Sequence, residues 1–540
     1  VRIGTRLMVM TVSSLLLAAP AAAADPNIYP SVSTGTLTRA PATLPAATLA
    51  GAPGRARPAR RTGRRVSSAT PLAAAPSVAG SQLVPQAPAL LANFNGVSSR
   101  DSAATNFGAE FEPPDQGLCA GNGYVVEMVN SAYSVYDTKG KVLAGPFNVN
   151  GPFNEGLTEF TSDPRCYYDA ATGTWFATIL QISKEENASA VDIAVNNSGD
   201  PRTAWTVYRI DTTGLGGAGG PKEPGCPCFG DQPTLGIDRN NLYVTTNEFS
   251  ILGPNFNGAQ VYAISKKDLV ALSPTVHFAH FAKLNIGGAP AASIQPALTT
   301  GNPAAEYFLS SIDPTETFDQ RIGVWALTEG ALVSSGGVPA LSSLVVRSEA
   351  FGVPPKGEQK GASSLIDAGD DRMQQVQFIG SSIWGELDTA VNIPGDSAQR
   401  AGAAFFQVKA ALSGSALASA KLQRQGYVAA AGNYVLYPAI QATKSGAAVM
   451  VVSVTGAKRH PSAAYSVIAP EASGFGPVTV AAAGSGVYDP TATRWGDYSF
   501  AVLDPSLQSA WLAAEYVPAK SSQTPDGLHN WGTRVFSLTP

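Results

Sequence analysis

Acidic and basic side chains recur in this sequence beside proline, glycine and aromatic residues, in short motifs that each open a new strand-like run. They include Pro114-Asp115-Gln116, Ser162-Asp163-Pro164-Arg165, Gly230-Asp231-Gln232-Pro233 and Arg494-Trp495-Gly496-Asp497-Tyr498-Ser499. Glu248 and Glu515 add carboxylates next to Phe249 and Tyr516. Paired carboxylates suit glycoside hydrolysis, in which one stays protonated to donate to the leaving oxygen and the other acts as base or nucleophile. On that reading Asp497, Asp231, Asp163 and Glu515 are the catalytic candidates. Arg494 and Arg165 would orient an anionic group, and Asp115, Trp495, Tyr498 and Glu248 would line the ligand. The same residues suit a binding surface without catalysis. An Asp at the start of a strand also caps turns by accepting backbone N–H groups, and its repetition along the chain is what capping predicts. Residues 494–499 form a richer motif than a turn requires.

Four cysteines are few for 540 residues. Cys119, Cys166 and Cys228 each lie within five residues of an opening motif, and Cys226-Pro227-Cys228 places two thiols on one loop. A bond across Cys-x-Cys is strained, so links from that loop to Cys119 and Cys166 are expected. The spacing is not a zinc pattern. His277, His280, His460 and His529 form no metal-ligand motif, and the chain has neither a Gly-x-Ser-x-Gly elbow nor a phosphate-cradling glycine loop. No metal site or cofactor is expected. A structural Ca²⁺ at Asp367, Asp370 and Asp371 is the one prospect, against which stands the lack of the alternating Asp and trailing Glu of a calcium loop.

Several features of the chain place these residues in an exported protein. Arg2 and Arg6 precede an apolar run too short to span a bilayer, and Ala22-Ala23-Ala24 offers a cleavage point, so residues 1–24 read as a signal peptide. Residues 25–88, rich in Ala, Pro and Arg, read as a disordered linker, and residues 89–540 as the folded domain. Arg55, Arg57, Arg60, Arg61, Arg64 and Arg65 lie in that linker. The expected location is secreted, periplasmic or on the cell surface, where disulfides form. The whole chain carries −4, of which residues 1–72 contribute +8, leaving −12 on the rest. That balance argues against nucleic acid as a partner, and no membrane span is expected. A monomer is expected.

With 54 Gly, 40 Pro and 14% charged residues, the composition is poor in helix formers and rich in turn formers. A strand pattern recurs: Val135-Tyr136, Val207-Tyr208, Val261-Tyr262, Val324-Trp325, Phe405-Phe406, Ala464-Tyr465 and Val535-Phe536, each followed two residues later by an aliphatic residue except in the first copy. The intervals run from 54 to 81 residues and average about 67, room for four strands with generous loops. The opening motifs keep the same beat, with Gln295-Pro296, Tyr437-Pro438 and the weaker Asp370-Asp371-Arg372 as further copies. The expected fold is all-β: a β-propeller of seven four-stranded blades, with six or eight blades or a pair of β-sandwiches as alternatives. Lys266 to Leu272 reads as a helical turn or two.

Asp163-Pro164-Arg165-Cys166-Tyr167-Tyr168-Asp169 with Gly173-Thr174-Trp175, Gly230-Asp231-Gln232-Pro233 with Thr246-Asn247-Glu248-Phe249, and residues 494–499 resemble secreted bacterial sialidase-like, BNR-repeat propellers over roughly residues 110–540. The resemblance implies architecture. The spacing from Asp169 to Trp175 departs from the S-x-D-x-G-x-T-W box of that family, which puts sialidase activity in doubt. The leading expectation is recognition of an extracellular glycan or surface polymer at the channel mouth. A glycoside hydrolase or lyase, and a scaffold for another protein, are the rivals.

Overall fold

The computed structural model describes residues 31–40, 74–84, 90–157, 159–183, 187–216, 222–253, 255–312, 318–488, 494–518 and 530–540. The expected signal peptide and the arginine cluster at 55–65 lie outside the described residues.

Strands β1 (Ser31–Thr38) and β2 (Ala92–Ser98) precede helix α1 (Ser99–Thr105). Antiparallel units of four strands follow. The first holds β3 (Gly117–Gly121), β4 (Tyr124–Met128), β5 (Ala132–Asp137) and β6 (Val142–Asn148), and the second β7 (Phe160–Asp169), β8 (Thr174–Ser183), β9 (Ala188–Asn196) and β10 (Thr206–Asp211). The third holds β11 (Cys228–Ile237), β12 (Asn241–Ser250), β13 (Phe256–Ser265), the short α2 (Lys266–Val270) and β14 (Thr275–Ala282). A small hairpin, β15 (Asn285–Ile286) and β16 (Ala289–Pro290), leads to β17 (Gln295–Thr299), β18 (Ala305–Ser311), β19 (Asp319–Thr328) and β20 (Ala340–Phe351). A second hairpin, β21 (Gly357–Gln359) and β22 (Ala362–Ile366), leads to β23 (Met373–Ile379), β24 (Ser382–Val391), β25 (Arg400–Ser413) and β26 (Ala416–Val428). Next come β27 (Tyr434–Ala442), β28 (Ala448–Gly456), β29 (Arg459–Ile468) and β30 (Thr479–Ala482). The last unit holds β31 (Phe500–Leu503), β32 (Ala510–Tyr516) and β33 (Gly532–Leu538), and its fourth strand is β2, paired antiparallel with β33.

The fold is thus all-β, and the first strand of each unit faces the first strands of its neighbours. β11 pairs parallel with β17, and β17 with β23. β3 lies beside β7, β7 beside β11, β23 beside β27, β27 beside β31, and β31 beside β3. Two glycines permit this approach: a methyl at Gly117 would sit 2.8 Å from the Pro164 carbonyl, and one at Gly236 would overlap Pro296. The aromatic residues of the repeat are buried, from Tyr136 to Phe536. Six of the seven copies mark third strands. The copy at Val207-Tyr208 instead falls on β10, the fourth strand of its unit, because the third strand, β9, carries Val191, Ile193 and Val195 with no aromatic residue.

The expected linker is ordered in two stretches. β1 pairs with β14 along all eight of its residues, and Ser77, Ser81 and Val84 bridge to Asn392, Ala430 and Thr479. In β1 only Leu37 is buried, so backbone pairing on the open edge of β14 holds it, and that force leaves little trace in composition. Among the described residues no helix is long and apolar enough to cross a membrane.

Where β2 meets the first unit, the Val97 N–H donates to Glu127 Oε2 at 2.8 Å. Burial pushes the Glu127 carboxyl up to about 7 against the hydrogen bonds from Thr533 and Val97. The native state therefore holds this proton more tightly than the unfolded chain, whose carboxyl titrates near 4.5, and stability is lost as pH rises between those values. The expected loss from this group is ~3 kcal/mol. Glu127→Gln is expected to make the fall of melting temperature from pH 4.5 to pH 7 shallower; an unaltered slope would assign that dependence to other groups.

Candidate site at the start of the first strands

The opening motifs sit at the beginnings of the first strands, where the ladder is broken by bulges. Asp163, Gln232 and Tyr437 adopt left-handed φ of 59°, 50° and 50°, each is followed by proline, and the register shifts there between Ser162 and Arg165, Asp231 and Thr234, and Leu436 and Ala439. Such a backbone costs free energy in a non-glycine residue unless it is held. A side chain from the preceding unit holds two of them: Asn130 Oδ1 accepts from the Asp163 N–H and Asp388 Oδ1 from that of Tyr437, each at 2.8 Å. Asn247 Oδ1 does the same for Ser293, whose φ is 46°. The extra residue in each strand re-aims its neighbours, as bulges do.

Asp163, in the bulge of β7, meets Asp115 and Asp497 from just before β3 and β31, with one carboxylate oxygen of each within 4.8 Å of the others and all three residues buried. Asp115 Oδ2 accepts from Asn130 Nδ2 at 2.7 Å, and its Oδ1 accepts from the Asp497 N–H. Asp163 Oδ1 accepts from the Ser162 hydroxyl, and Arg494 is ion-paired with Asp497. Glu515 Oε2 accepts from the Gly496 N–H at 2.7 Å. Burial holds the Glu515 carboxyl well above the usual range, and the neighbouring Asp115, Glu112 and Asp497 push the same way.

Beside this group, the Arg165 guanidinium lies 3.3 Å from the centre of the Tyr498 ring, the Tyr498 hydroxyl donates to the Pro164 carbonyl, and Arg165 Nε donates to the Pro233 carbonyl at 3.4 Å. Arg372, gripped by both oxygens of Asp370, donates to Gln232 Oε1. These contacts join the last unit to the second, the second to the third, and the third to that of β23. Polar atoms remain here with no hydrogen-bond partner among the described residues: Gln116 Oε1, Arg165 Nη2, Gln232 Nε2, Gln295 Nε2, and both amide atoms of Gln374. All belong to buried side chains on or just before first strands.

The structure therefore gathers Asp115, Asp163, Asp497, Arg494, Arg165 and Glu515. Asp231 is half-buried opposite Asn247 and stands outside the aspartate group. Glu248 lies elsewhere, next to the Cys226 loop. Trp495 and Tyr498, expected to line a ligand, are turned inward: Trp495 packs edge-on against Tyr488, and Arg165 covers Tyr498. Asp370, in the calcium prospect of residues 367–371, is ion-paired with Arg372. Asn130 and Gln374 belong to no motif and carried no local sign; Gln116, Gln232 and Gln295 lay in opening motifs but were not singled out, and Arg372 lay in the weakest copy of that motif.

The cysteines pair as Cys119–Cys166 and Cys226–Cys228, which corrects the expected pairing between the loop and the other two. Adjacent first strands β3 and β7 set Cys119 and Cys166 opposite one another, with Cα atoms 5.3 Å apart, and this leaves the loop cysteines to each other.

No family model matches the chain, and no curated protein matches it in sequence. Solved structures similar to it include an α-L-arabinofuranosidase of Fusarium graminearum (8% identity, 83% of this chain and 98% of that one, TM-score 0.34). The endosialidase of phage phi92 (8%, 69% and 66%, 0.34) and Drosophila plexin A bound to semaphorin 1b (10%, 85% and 88%, 0.31) are others. At these scores the likenesses assign neither fold nor activity.

Proposed function

We propose that the chain is an exported seven-bladed β-propeller that binds a hydroxyl-rich ligand, a glycan or surface polymer, at the end where its first strands begin. The succession of neighbouring first strands from β3 round to β31 and back, with β2 completing the last unit, supports the propeller reading. Two disulfides suit an oxidising compartment. The observation that carries the ligand reading is the set of unspent donors and acceptors on Gln116, Arg165, Gln232, Gln295 and Gln374. Buried polar groups are normally paired, and sugar hydroxyls both donate and accept. Hydrolysis is disfavoured by the state of the aspartates: Asp115 and Asp163 each already accept hydrogen bonds that fix the backbone or a neighbour.

The test is a screen of wall, plant and animal glycans against the purified protein, reading retention and product release together. Retention without release is expected. Arg165→Ala is expected to weaken it about tenfold, the worth of one charged hydrogen bond, with its melting curve checked for folding. Product release abolished by Asp497→Asn would replace recognition by hydrolysis, and no retention on any glycan would turn attention to a protein partner.

A further inference from the structure

The loop before β11 stands apart from the aspartate group. Residues 224–227 are exposed or half-exposed and Cys228 is buried. Glu248 on β12 faces the pair: its Oε1 lies 3.7 Å from Cys226 Sγ, and its carboxylate and both sulfurs fall within 4.8 Å of one another. Asn257 on β13 donates to Glu248 Oε1 at 2.8 Å, with its Nδ2 3.6 Å from Cys226 Sγ and 3.5 Å from Cys228 Sγ. Burial pushes Glu248 up to about 7, Glu223 adds to the rise, and the Asn257 bond opposes it. The other ionisable groups around this corner are Tyr262, Asp211 and, facing Glu223, Lys283. The second disulfide lacks this setting, since Cys119 and Cys166 are both fully buried.

We propose that Cys226-Pro227-Cys228 is a thiol–disulfide exchange site that takes electrons from peptide dithiols, with Glu248 carrying the proton. A sulfur reachable from solvent, bonded to a buried one beside a carboxyl, provides the parts such exchange needs. A thiolate of the dithiol attacks Cys226 Sγ, the Cys226–Cys228 bond breaks, and its electron pair leaves on Cys228 Sγ, which takes the proton of Glu248. The second thiol of the dithiol gives its proton to the Glu248 carboxylate and attacks its own partner's sulfur in the mixed disulfide. Cys226 leaves as a thiolate and is protonated by water. Two electrons pass from the dithiol to the pair, and the peptide departs as a disulfide. None of this depends on what the first-strand end binds.

The experiment uses the full chain and a synthetic peptide with two cysteines, trapping thiols with a maleimide and locating them by peptide mass. Cys226–Cys228 is expected to open at least about tenfold faster than Cys119–Cys166, with stoichiometric oxidation of the peptide. An exposed structural disulfide would also open first, so the pH profile decides. Attack by thiolate speeds up with pH; with Glu248 as acid the wild-type rate flattens above about 7. Glu248→Gln is expected to be about tenfold slower at pH 6 and to rise with no break. A Glu248→Gln profile that overlays the wild type, or equal opening of the two disulfides, overturns the proposal.

Discussion

Deletion of residues 92–98 is expected to cost on the order of 5 kcal/mol, from about four ladder hydrogen bonds and the burial of Val97, and to lower the melting temperature or abolish the cooperative transition. β2 pairs with β33 from Ala92↔Ser537 to Ser98↔Gly532, and Val97 is packed in a cluster with Val129, Trp495 and Trp531. Its removal exposes the edge of β33 and takes from Glu127 the Val97 N–H, leaving a buried carboxyl short of a donor. A single substitution probes the same seam without shortening the chain. A methyl at Gly96 would overlap Glu127 Oε2 and Thr533 Oγ1, so Gly96→Ala is expected to destabilise in the same direction by a smaller amount. Thermal melting with a size measurement reads both, and a deletion variant that melts with the wild type would remove β2 from the framework.

The paired substitution Cys119→Ala with Cys166→Ala is expected to cost ~4 kcal/mol, against ~1.5 kcal/mol for Cys226→Ala with Cys228→Ala. The first bond closes a segment of 47 residues and the second one of 2, and the entropy removed from the unfolded chain grows with the logarithm of that length. Cys119–Cys166 also ties β3 to β7, where the first two units meet. Guanidinium unfolding of the two double variants gives the difference directly. Equal losses would mean that the long bond acts through the native state instead of through the unfolded chain.

The repeat was legible because third strands place a large ring beside a β-branched or small residue, as in Val261-Tyr262 and Val324-Trp325, and the core demands it at each turn of the architecture. It misled in the second unit, where Tyr208 carries the ring on the outer strand and β9 fills the core with aliphatic residues. The opening motifs were legible for a local reason, since a left-handed residue followed by proline marks Asp163, Gln232 and Tyr437 alike. Features that depend on distant partners left no local mark. Nothing near Asn130 announces that it will bind Asp115 and Asp163, and the pairing of Cys119 with Cys166 follows from the adjacency of two strands in different units. Asp231 and Glu248 shared the chemistry of the gathered residues, but β11 and β12 carry them to other surroundings.

The contact between Val97 and Thr533 spans 436 residues. A ribosome adding roughly 5–20 residues per second takes about 20–90 s to cover that distance. For that interval β2 exists without its partner, and every later unit is made before β2 can be used. A chain that stops short of Gly532 never recovers it, and such a product is marked by β2 left unclaimed.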